Sequence, residues 1–145
     1  MGKKPETKKL ETTEEGREAR ELATELFKLW NETLKLVDEE KMAEFYLENC
    51  IFLPTLSDKF VTDKEGVKEY FKHFLEKKPV AEIVEDMAVY SKSGNELNHC
   101  GMYNFEVGSE DSRTIVEARF TYIWQKDERG DWKILHHHSS LLPKK

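Results

Sequence analysis

Apolar side chains recur every three or four positions at Ala19, Leu22, Ala23, Leu26, Phe27, Trp30 and Leu34. That repeat is one face of a helix, so a long amphipathic helix is predicted over about 13–36, with Thr12 and Glu15 as its capping box. Asp38 caps a second, shorter helix carrying Met42, Phe45 and Tyr46, after which the run "IFLPTL" reads as a strand. Thr62 and Glu65 form another capping box ahead of Val67, Tyr70, Phe71, Phe74 and Leu75, a third helix that stops before Pro79.

Beyond Pro79 the period changes. Strand-like runs near 81–92, 96–107, 113–126 and 131–142 are separated by "KSGN", "GSEDS" and "DERGD". Helices first and a strand meander after predict an α+β domain in which a curved antiparallel sheet wraps the helices and leaves a concave pocket. In the strand "TIVEARFTYIWQ", Val116, Ala118, Phe120, Tyr122 and Trp124 form the core face. Ile115, Glu117, Arg119, Thr121 and Ile123 form the other, a mixed surface suited to solvent or to a homodimer across the convex side. Residues 1–12 hold one apolar side chain, Leu10, and read as a tail or linker ahead of a single domain over 13–145.

Composition narrows the partners. Of the 145 residues, 36% are charged and the formal net charge is −6, which disfavours nucleic acid and anionic membranes. The sequence has no apolar run of signal-peptide type and no 18-residue apolar stretch. It reads as soluble and intracellular, in the cytoplasm, or in a plastid stroma if a targeting segment has been removed. Cys50 and Cys100 fit no metal or redox spacing and read as unpaired, buried thiols.

The densest chemistry is "HHHSS" at 136–140. Alternation splits the last strand into Trp132, Ile134, His136, His138 and Ser140 against Lys133, Leu135, His137 and Ser139, and periodicity leaves the inward set open. His136 and His138 have the spacing by which a strand offers two imidazoles to zinc, but no third ligand is fixed nearby, and a role at a subunit interface or hydrogen-bonded on the convex face accounts for them better. Tyr70 lies one position from the apolar stripe of its helix, where its ring can line a cavity or simply pack. Tyr103 and Tyr122 fall on the core faces of neighbouring strands. No carboxylate falls on an inward face: Glu117 points away from Phe120 and Tyr122, and Asp58 and Asp63 sit in a loop.

The stretches "IFLPTLSDKFVTDKEGVKEYFKHFLEKKPV", "GMYNFEV" and "ARFTYIWQKDERGDWKILHHHSSLLP" resemble the NTF2-like group that contains the calmodulin-kinase association domain, over about residues 18–143. Within it, the Pro-Thr after the first strand, the Tyr-Phe-x-His-Phe helix and the His-His-His-Ser-Ser ending look like the iota class of carbonic anhydrase, described as working without a metal. The association domain has an arginine facing its pocket where this chain has Ser139. The resemblance therefore implies an NTF2-like cone with Leu135, His137 and Ser139 inward. It further implies Thr55, Tyr70 and Ser139 as catalytic residues, His137, Tyr103 and Tyr122 as substrate contacts, carbon dioxide and bicarbonate as substrates, and neither metal nor cofactor. A non-catalytic association module, or an isomerase or cyclase built around an inward carboxylate, are the other expectations for such a fold.

Overall fold

The computed structural model describes residues 13–144. Helix α1 (Glu14–Leu34) buries Ala19, Ala23, Phe27, Trp30 and Leu34 along one stripe. Its cap is Thr13, whose hydroxyl accepts from the Gly16 amide at 2.9 Å; this is one residue past Thr12, which lies outside the described residues. Asp38 caps α2 (Glu39–Ala43), accepting from the Glu40 and Lys41 amides. Tyr46 does not continue that helix: it opens β1 (Tyr46–Leu53) and is fully buried. Helix α3 (Lys64–Phe74) is capped by Asp63 rather than Thr62, through a 2.8 Å bond from the Gly66 amide, and ends in a 3₁₀ turn (Leu75–Lys77) before Pro79.

The other strands are β2 (Val80–Tyr90), β3 (Glu96–Ser109), β4 (Ser112–Lys126) and β5 (Trp132–Leu141). They form one five-stranded sheet in the order β1-β5-β4-β3-β2, antiparallel except that β1 runs parallel to β5. Parallel pairing needs a long crossover, and here the chain between β1 and β5 is α3 and the whole meander. Helix α1 lies against β2, held at that open edge by Asn31, whose side chain donates to the Ala81 carbonyl (2.8 Å) and accepts from the Ala81 amide (3.0 Å). One amide thus satisfies backbone groups that an uncovered edge strand would leave to a second chain.

Two irregularities decide which side chains enter the core. Between Ile83 and Glu85 the β2–β3 register shifts, so Ala81 faces inward before the shift and Ala88 after it. Asp86 is turned inward with Ala88, its side chain only 7% exposed. Gly101 stands opposite, and a Cβ there would come within 2.1 Å of the Glu85 carbonyl oxygen, so this close approach excludes any side chain. The expectation that no carboxylate points inward is corrected by this bulge. The second irregularity lies between Ile123 and Trp124, which pair with His136 and Ile134 and leave Leu135 as the extra residue of β5.

Candidate active site

Because Leu135 is the bulged residue, Ile134, His137 and Ser139 all face inward, while Leu135 lies beside Leu47 and Gln125 on an outer depression. The expected inward Leu135 is therefore corrected, and the two competing faces of the last strand are reconciled, since Ile134 and His137 both belong to the core. His136, His138 and Ser140 turn away from the cavity. The rings of His136 and His138 stand 6.5 Å apart, and among the described residues no three His, Cys, Asp or Glu side chains gather as a metal site.

His137 is 2% exposed and held as a flat plate. Tyr122 stacks on it at 4.1 Å between ring centroids and Phe52 at 4.8 Å, with interplanar angles of 22° and 14°. Its Nδ1 lies 2.9 Å from the Tyr46 hydroxyl, which accepts the Trp30 indole N–H at 3.3 Å. Its Nε2 lies 3.3 Å from the Tyr103 hydroxyl. Tyr103 donates to Ser139 Oγ at 2.7 Å, and Ser139 shares a hydrogen bond with Thr55 across 84 residues of sequence. Burial, with minor repulsion from His136 and His138, pushes the His137 imidazole well below its ordinary range, so it is neutral near pH 7. Burial likewise raises Tyr46 and Tyr103, which stay protonated.

These groups meet at a small cavity. Thr55, Ser139, Tyr103 and His137 supply its polar wall, and Trp30, Phe52, Tyr70, Phe71, Phe74 and Phe105 its aromatic one. It is narrow: the centre of a water-sized molecule has about 20 Å³ in which to move. A second, outer groove of about 570 Å³ shares Thr55, Leu56, Tyr70 and Phe74 with the inner cavity. Its floor is the segment between β1 and α3, returned to β1 by paired backbone bonds of Phe52 with Val61 (2.8 and 3.0 Å). Leu56, at this mouth, has φ +63°, a left-handed backbone also found at Val37 and Lys78.

Of the residues singled out from sequence, Thr55, Tyr103, His137 and Ser139 form one hydrogen-bonded chain, and Tyr70 lines the same cavity through its ring edge-on to Phe52 at 5.2 Å. Tyr122 does not reach the cavity. It supports His137 from behind, and its own hydroxyl has no hydrogen-bond partner. Sequence reasoning missed Trp30 and Tyr46 as partners of this chain. Starting the first strand at Tyr46 would have put Tyr46, Cys50 and Phe52 on one face by alternation.

A second buried polar group went unnoticed. Asp86 lies 2.8 Å from His99 Nε2 and 2.9 Å from the Arg20 guanidinium, and His99 is fully buried. The hydrogen bond from His99, then the charge of Arg20, holds the Asp86 carboxyl below the usual carboxylate range despite its burial. The only sequence hint was Gly101, an isolated strand glycine of the kind that marks a bulge or a close approach. Cys50 is buried as expected, but Cys100 is exposed, with its thiol 3.6 Å from the Thr121 hydroxyl. The β3 alternation puts His99 inside, and its neighbour therefore outside.

This architecture has solved relatives. A Xanthomonas campestris protein described as a calcium/calmodulin-dependent protein kinase II association domain is 31% identical, with a TM-score of 0.80 over 87% of this chain and 89% of its own. A Streptomyces avermitilis protein described as a dehydratase of the NTF2-like family superposes with a TM-score of 0.74 at 12% identity, covering 86% and 96%. An NTF2-like superfamily protein from Salmonella enterica gives 0.72 at 14% identity, covering 89% and 94%. No curated protein matches the chain. The fold is the NTF2-like, cystatin-like cone, and with residues 24–144 matching the SnoaL-like domain, the chain belongs to that family.

Proposed function

We propose that the protein is a carbonic anhydrase that hydrates carbon dioxide reversibly to bicarbonate with its own hydroxyl and aromatic groups and no metal. The observation that supports this most is the Ser139–Thr55 hydroxyl pair, backed by Tyr103 and the neutral His137, in a narrow cavity walled by aromatic rings. A multi-ring substrate has no place there, whereas carbon dioxide and one water are of the right scale. The attacking water forms the new C–O bond, one carbonyl electron pair moves onto oxygen, and the hydroxyl pair donates to the charge that develops. Tyr70, which borders both compartments, positions the water. Its released proton passes to the outer groove, where His73 Nε2 and Glu69 Oε2 stand 3.3 Å apart and can take it up.

The test is carbon dioxide hydration by purified protein before and after exhaustive chelation. Turnover retained in both supports the reading; no turnover, or turnover lost with zinc and restored by it, refutes it. An association module is the second reading, favoured by the 31% identical relative described as an association domain, and an assembly without turnover would identify it. A dehydratase or isomerase would use Asp86 and His99, the one buried carboxylate–imidazole pair described, but neither lines the cavity.

A further inference from the structure

Protons in the chain around His137 can be counted. The Trp30 indole can only donate, so the Tyr46 oxygen accepts from it, and Tyr46 must place its own O–H elsewhere in a fully buried setting. Among the described residues the partner within reach is His137 Nδ1, at 2.9 Å. If Nδ1 carried the proton, it would donate to Tyr46 and leave the Tyr46 O–H buried and unmade, a bias on the order of tenfold or more against that tautomer. Stacking between Phe52 and Tyr122 also stops the ring from turning to find another partner.

We infer that Trp30 and Tyr46 are positioning residues that fix His137 as the tautomer protonated on Nε2, and that this sets the cavity to donate a hydrogen bond rather than accept one. With Nε2–H donating to Tyr103, the Tyr103 proton goes to Ser139 Oγ. Ser139 and Thr55 then have two protons and one bond between them, so one O–H is left for whatever occupies the cavity. In the other tautomer the Tyr103 proton turns to Nε2, Ser139 donates to Tyr103, Thr55 donates to Ser139, and the cavity is offered only lone pairs. The ligand class selected is a small planar oxyanion or carbonyl, with cations and pure donors rejected. The preference for bicarbonate rests on the proposed hydration reaction; the tautomer rests on the hydrogen-bond geometry alone.

The experiment is nitrogen NMR of ¹⁵N-histidine-labelled full chain, with His137 assigned by comparison with His137→Asn, together with titration by formate as the planar carboxylate and ammonium as the donor control. The wild type should show His137 neutral with its proton on Nε2, should bind formate and should ignore ammonium. In Tyr46→Phe both ring nitrogens should move toward tautomer-averaged positions and formate affinity should fall at least tenfold. Trp30→Phe, which keeps the Tyr46 hydroxyl, should do the same more weakly and serves where Tyr46→Phe fails to fold. Wild-type His137 protonated on Nδ1, or variants with unchanged tautomer and formate affinity, would overturn the inference. A wild type without turnover but with Nε2–H and formate binding would sink the hydration reading and leave this one standing.

Discussion

Ile134 and His137 lie three residues apart on one strand and both face the core, an arrangement a regular strand cannot produce. Leu135 is the extra residue that makes it possible, and the bulge turns the rest of "HHHSS" so that His137 and Ser139 enter the cavity while His138 and Ser140 leave it. The face assignment has a direct kinetic consequence.

Ser139→Ala and Thr55→Val each break the hydroxyl pair that leaves one O–H for the cavity, and Tyr70→Phe removes the hydroxyl proposed to position water, all at nearly constant volume. Each should lower carbon dioxide hydration by on the order of 10²–10³. Ser140→Ala, one residue away and outward, should be close to silent, as should His136→Ala with His138→Ala within roughly tenfold, about 1.4 kcal/mol in barrier. Stopped-flow hydration assays on the five proteins check this, and a damaging Ser140→Ala would reverse the faces.

Acid should weaken the fold through His137. Its folded pKa lies well below its ordinary value because of burial, so as pH drops below about 6.5 the unfolded chain binds a proton that the folded chain refuses. The unfolded state then holds more protons, and stability falls as pH falls, by up to about 1.4 kcal/mol per pH unit for this group. His136, displaced in the same direction by partial burial, adds a smaller part. Urea midpoints between pH 7.5 and 5 should show the slope, and His137→Asn should flatten it.

Asp86→Ala should be costly although Asp86 does not line the cavity. It leaves the buried His99 without its carboxylate partner and removes one from the half-exposed Arg20, and a buried donor left unpaired costs about 1–3 kcal/mol. Denaturant unfolding measures the loss. Formate binding by the folded variant should stay near wild type, which separates the structural role of this group from the site.

The two thiols should be distinguishable. Cys100 is exposed and should react with a thiol reagent in native protein, whereas Cys50 is buried and its thiol is pushed up to about 11, chiefly by burial. One thiol labelled natively and two after unfolding is the expected count.

A homodimer through the outward face of β4 remains a proposal, supported by Ile115, 62% exposed beside Glu117 and Arg119. Sedimentation at micromolar concentration should show a dimer, and Ile115→Glu should shift it toward monomer.

The sequence by itself determined the helices and the meander. The apolar repeat from Ala19 to Leu34 and the alternation from Val116 to Trp124 are local periodicities, and each fixes its element's buried face whatever the rest of the chain does. Caps were legible to within one residue, because Thr12 and Thr13, or Thr62 and Asp63, are both competent and the choice depends on where the first turn packs. Tertiary structure decided the rest. Bulges at 84 and 135 reverse alternation without any change of residue type, so the inward turn of Asp86 and the shared face of Ile134 and His137 come from strand pairing alone. The parallel partnership of β1 with β5 brings Thr55 to Ser139 and Tyr46 to His137. Contacts across 84 and 91 residues depend on register between distant strands, and no local pattern encodes that register.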